Sequence, residues 1–97
     1  MTVLEQFAND KYKLLHFLST MQVDIAGNSY VSLSQQEIAD GVGFSKLKTN
    51  GLIKELKALG CLTSYNGKNG KYQITEMGYV VLSTMNQEFS RENADNG

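Results

Sequence analysis

Six lysines (Lys46, Lys48, Lys54, Lys57, Lys68 and Lys71) fall within residues 45–72 against one acid, Glu55, a local charge of +5. The rest of the chain carries three cations and nine acids, a charge of −6, which leaves −1 overall. A cationic face on an acidic body can steer that face toward polyanions while the body stays soluble. In the same segment Asn50 supplies a carboxamide, which both donates and accepts hydrogen bonds, or is an ordinary polar surface residue. The chemistry this allows is charge neutralisation and hydrogen-bond readout, not bond making. His16 and Cys61 are the lone histidine and lone cysteine. They complete no zinc set and no nucleophile–base pair at a motif spacing. Cys61, beside Leu62, reads as a small buried hydrophobe, and His16 as structural or exposed. The expectation is therefore no enzyme, no metal and no cofactor.

The lysines need rigid elements to carry them, and hydrophobic spacing with Gly and Asn punctuation marks those out. Residues 2–8 begin a helical pattern, and Asn9–Asp10 offers an N-cap for a stronger helix over about Lys11 to Met21, with Leu14, Leu15, Leu18 and Met21 at helical spacing. Residues 26–29 read as a loop and 30–33 as a short strand. Ser34 starts the next helix, with Glu37 three positions on as its capping-box partner, and Gly41-Val42-Gly43 ends it. Ser45 caps the following helix. Leu52, Ile53, Leu56 and Leu59 form its inner stripe, Lys46, Lys48, Asn50, Lys54 and Lys57 its outer face, and Gly60 its stop. Residues 61–65 and 71–74 are β-prone and flank Asn66-Gly67-Lys68-Asn69-Gly70, a loop short and Gly-rich enough to make a hairpin. Thr75 caps a last helix bearing Tyr79, Val80, Val81, Leu82, Met85 and Phe89.

Ninety-seven residues with 41% hydrophobic and 20% charged content suit one soluble domain, here 1–90, with a polar tail over 91–97. No apolar run reaches the roughly 18 residues of a membrane span, and no secretory signal is legible at the N-terminus. One cysteine excludes an internal disulfide and fits a cytoplasmic location.

The order helix, strand, helix, turn, helix, hairpin, helix resembles the winged helix-turn-helix family of bacterial regulators. The segment LSQQEIADGVGFSKLKTNGLIKELKALGCL is similar to its tandem helix pair, and KYQITEMG to the strand-to-helix junction after the wing. The resemblance covers about residues 11–90. It implies a mainly α fold with a small β-hairpin (α-β-α-α-β-β-α) and sequence-specific binding of double-stranded DNA in transcription regulation. The helix over 45–59 would enter the major groove and the wing over 62–74 would meet the adjacent backbone or minor groove.

On that reading the DNA-binding residues are Ser45, Lys46, Lys48, Thr49 and Asn50 near the start of the helix. Lys54 and Lys57 would meet phosphates further along, and Lys68 would contact from the wing tip. Thr49 has a second reading, facing inward three residues before Leu52. Gly51 interrupts the helix at a cost of about 1 kcal/mol relative to alanine. It permits a close backbone approach to DNA or to another helix, or it is a tolerated defect. No arginine occurs in helix or wing, so the common bidentate guanine contact is missing.

Leu4, Phe7, Val81, Leu82, Met85 and Phe89 exceed the needs of so small a core and predict a homodimer interface, with both terminal helices covering one core as the plainer alternative. A protein-docking module of the same fold, or a plasmid or phage replication or partition accessory protein, are the alternative functions.

Overall fold

The computed structural model describes residues 3–67 and 70–84, with side chains from Asp10 onward. Eight elements and one short turn follow in chain order: α1 (Val3–Thr20), β1 (Val23–Ile25), β2 (Asn28–Ser32), α2 (Gln35–Val42), α3 (Lys46–Ala58), β3 (Leu62–Ser64), a 3-10 turn (Tyr65–Gly67), β4 (Lys71–Ile74) and α4, covering 76–84. The strands form one antiparallel sheet in the order β1-β2-β4-β3.

Leu14, Leu15 and Leu18 of α1, Val31 of β2, Ile38 and Val42 of α2, and Leu52, Ile53 and Leu56 of α3 are buried in one cluster, closed below by Leu62, Tyr72 and Ile74 of the sheet. Each large aliphatic side chain so buried contributes about 2 kcal/mol. Phe17, Leu33, Phe44, Val81 and Leu82 pack around the rim. Val81 and Leu82, expected at a dimer interface, thus turn their inner faces to the chain's own core. The more exposed apolar groups of α4 are Met77, Tyr79 and Val80. The side chains of Leu4, Phe7, Met85 and Phe89 lie outside the described residues.

Local rules fix the helix starts. Ser34 Oγ accepts from the Glu37 backbone N–H at 3.1 Å while Glu37 Oε1 accepts from the Ser34 N–H at 3.0 Å, so the expected capping box is present. Thr75 Oγ1 accepts from Gly78 N–H at 3.1 Å and donates to the Gly60 carbonyl, which caps α4 and ties it to the end of α3.

Four expectations change. α1 runs unbroken from Val3, because extending an existing helix costs less than stopping and renucleating at Asn9–Asp10. β1 joins β2 through a two-residue hairpin at Ala26 and Gly27, both at positive φ (52° and 84°), where a plain loop was expected. Gly41 lies inside α2, and the left-handed C-cap is Gly43. Leu59 is the last cap position of α3 and Met21 sits just past α1, so both are exposed and leave the apolar stripes assigned to them.

Close approach explains Gly41 and Gly78. A Cβ at Gly41 would overlap the Phe17 ring, so its absence sets the spacing of α1 and α2. A Cβ at Gly78 would overlap the Cys61 carbonyl oxygen, so its absence seats α4 on the start of the wing.

Candidate nucleic-acid interface

Ser45 opens α3, its hydroxyl oxygen accepting from the Lys48 backbone N–H at 3.1 Å. Thr49, Leu52, Ile53 and Leu56 are the buried residues of this helix. At about 100° per residue they occupy one arc, and the arc opposite carries Leu47, Gly51, Lys54 and Ala58, all exposed. This crest points away from the core. Lys46, Asn50 and Lys57 lie along one flank and Lys48 and Glu55 along the other.

The flanks differ in how their charges are used. Lys48 Nζ lies 2.7 Å from Asp10 Oδ2 of α1 and 4.4 Å above the centre of the Phe44 ring. Lys11 of α1 reaches Glu55 at 3.8 Å. That flank is therefore stitched to α1 by opposite charges. On the other flank, Lys57 Nζ donates to Ser64 Oγ at 3.0 Å and stands 5.3 Å from the Tyr72 ring centre. It lines a cleft of about 390 Å³ with Ser34, Gln35, Ser64, Gly70 and Tyr72, between the start of α2, the end of α3 and the wing. Lys46 and Lys54 are exposed, and no acidic group lies within ion-pair distance of either among the described residues. In the wing, Lys71 Nζ stands 5.4 Å from the Tyr30 ring, which stacks on Tyr65 at 4.5 Å.

The sequence-predicted residues separate accordingly. Lys46, Asn50, Lys54 and Lys57 are brought to the crest or to its wing-side flank, and Ser45 is exposed at the N-cap with its hydroxyl engaged by the Lys48 N–H. Lys48 is exposed but engaged with Asp10. Thr49 is 0% exposed and cannot touch a ligand from this helix, which corrects its assignment as a contact and leaves its inward reading. Lys68 lies outside the described residues.

Two residues at this face escaped the sequence reading. Leu47 is 83% exposed, the highest value among the exposed large hydrophobics. Gln35, from the first turn of α2, donates through Nε2 to Asn50 Oδ1 at 3.2 Å. Helical phase alone could have placed Leu47 opposite Leu52 and Leu56, since it falls outside their arc. The Gln35–Asn50 contact crosses between two helices, and nothing local announces it.

Among the described residues no group of three or more His, Cys, Asp or Glu is placed to hold a metal ion, and no helix is long and apolar enough to cross a membrane.

No protein-family model and no curated protein matches the chain by sequence. Among solved structures it is similar to TTHA1359, a CRP/FNR-family transcriptional regulator from Thermus thermophilus, with a TM-score of 0.56 at 22% identity over 87% of this chain and 43% of that one. It is also similar to TTHB099, a CRP-family transcriptional regulator from the same organism, with a TM-score of 0.53 at 18% identity over 80% and 37%. The chain thus spans less than half the length of either regulator. At these identities the likeness carries the fold, and it agrees with the arrangement of α2, α3 and the β3–β4 hairpin. The chain has a winged helix-turn-helix fold.

Proposed function

We propose that this chain binds double-stranded DNA through α3 and acts in the regulation of transcription. The observation that carries the proposal is the contrast between the two flanks of α3. On one flank α1 pairs both charges, Asp10 with Lys48 and Lys11 with Glu55, whereas no acid pairs with Lys46, Lys54 or Lys57 among the described residues. Unpaired cations on one exposed helix and in the adjoining wing cleft suit a phosphate backbone on either side of a groove. The two similar solved structures are transcriptional regulators, which supports the same reading.

In this reading the crest of α3 enters the major groove, with Asn50 at a base edge and Lys46 and Lys54 toward phosphates. The cleft around Lys57 receives the backbone strand that passes between α3 and the wing, and Lys68 adds a contact at the wing tip. Two copies bind together, joined through the outer face of α4, where Met77 and Val80 are exposed.

Selection of bound duplexes from a random pool tests this. Enrichment of one motif is expected, and an inverted repeat within it would report the two copies. Failure to enrich any sequence at low salt would overturn the proposal and assign the same face to a protein partner.

A further inference from the structure

Two residues on the crest of α3 are unexplained by the chain's own packing. Gly51 sits in mid-helix, where glycine is among the least favourable residues. Unlike Gly41 and Gly78, it has open space around it, since a Cβ added there would meet nothing within 4 Å. Its φ is not in the left-handed region that requires glycine. The free fold would therefore accept alanine and gain from it. Leu47, one turn earlier on the same arc, leaves 83% of its surface in water. A bulky apolar group followed by a gap makes a ridge and a notch along the exposed line of the helix.

Beside the ridge is a shallow hollow of about 260 Å³ lined by Gln35, Lys46, Leu47 and Asn50. Gln35 holds the Asn50 carboxamide at its edge through the 3.2 Å hydrogen bond. Asn50 keeps its amide N–H groups and the second lone pair of its oxygen for a ligand. The combination of an apolar wall, a fixed carboxamide and flanking lysines matches one ligand chemistry closely. A T·A pair in the major groove offers the thymine 5-methyl group and, next to it, the adenine N7 acceptor and N6 donor.

We infer that the Leu47–Gly51 crest reads thymine methyl groups. Leu47 packs against the methyl, Asn50 as oriented by Gln35 takes the paired adenine, and Gly51 lets the helix backbone descend into the groove. The inference rests on the proposed DNA binding, and it goes further by naming the base feature that is read. Charge selects DNA over a protein as the occupant, because unpaired Lys46 and Lys54 bracket the apolar ridge. A protein would have to bring acids to both.

The test replaces thymines in an enriched duplex with deoxyuridine one at a time, which removes a methyl and leaves every phosphate in place. Wild type, Leu47→Ala and Gly51→Ala are compared by fluorescence anisotropy and thermal melting. At one or more positions the wild type is expected to lose about fourfold in affinity per methyl removed. Leu47→Ala should fold normally and bind the thymine and uracil duplexes equally. Gly51→Ala should melt about 4–8 °C higher yet bind about tenfold more weakly, because the added methyl holds the helix out of the groove. A wild type that binds tightly but does not distinguish uracil from thymine overturns methyl reading and leaves DNA binding standing. Discrimination that persists in Leu47→Ala overturns the assignment to Leu47, and full affinity in Gly51→Ala overturns the role of Gly51. No binding of any duplex by the wild type at low salt overturns this inference together with the function beneath it.

Discussion

The ammonium of Lys48 lies 2.7 Å from the carboxylate of Asp10, and this pair joins the first turn of α3 to the middle of α1. Asp10 is 13% exposed in its side chain and Lys48 45%, so the acid is the more sheltered partner. Lys48 is therefore a brace for α3 more than a free cation on it. Lys48→Ala is expected to lower stability by about 1 kcal/mol, since a largely sheltered carboxylate is left without its partner. Urea denaturation reads this directly. Asp10→Asn should have a second effect. It releases Lys48 and should tighten duplex binding at low salt, where an inert Lys48 would leave affinity unchanged.

Thr49 is fully buried, and its hydroxyl has no hydrogen-bond partner among the described residues. An unsatisfied buried hydroxyl is unfavourable, and valine has nearly the same shape. Thr49→Val should be neutral or stabilising by up to about 1 kcal/mol in thermal melting, with DNA affinity unchanged. A marked loss of affinity with intact folding would return Thr49 to the contact set.

Gly41 and Gly78 differ in what an added methyl would strike. At Gly41 it is the far edge of the Phe17 ring, which can swing aside at some cost in packing. At Gly78 it is the Cys61 carbonyl, which is backbone and cannot. Gly41→Ala is expected to cost about 1–3 kcal/mol and Gly78→Ala more than that. Calorimetric melting of the two variants side by side checks the order, and the reverse order would contradict the packing described for α4.

The Ser34–Glu37 capping box is tested by stability alone, since Ser34 also lines the cleft beside Lys57. Ser34→Ala removes the hydroxyl that accepts from Glu37 N–H and should cost about 1 kcal/mol. Glu37→Ala removes the return bond and should cost less, because the Ser34 N–H can turn to water. Equal melting temperatures for wild type and Ser34→Ala would show that the cap contributes nothing.

Legibility in the sequence followed the range of the interaction. Ser34, Ser45 and Thr75 announce helix starts because a cap acts within three residues, and Asn66, Gly67 and Gly70 announce the wing because they take positive φ, where Asn and Gly are favoured. β1 was missed because its turn places Ala26 at φ 52°, where asparagine or glycine is the usual signal. The tethering of Lys48 was invisible because its partner lies on another helix, and charge counting alone cannot tell a braced lysine from a free one. Leu47 lies outside the buried stripe that marks α3 as a helix. An apolar residue out of phase with that stripe is itself a signal, and Leu47 carried it.

The most direct test of the central claim, that the exposed face of α3 meets the DNA backbone, is the salt dependence of binding. Affinity of wild type and of Lys46→Ala/Lys54→Ala for one enriched duplex is measured across a salt series. If both lysines meet phosphates, the double variant should keep its melting temperature, bind more weakly, and show a slope of log K against log salt shallower by about 1.8. An unchanged slope and affinity in a folded double variant would contradict the account.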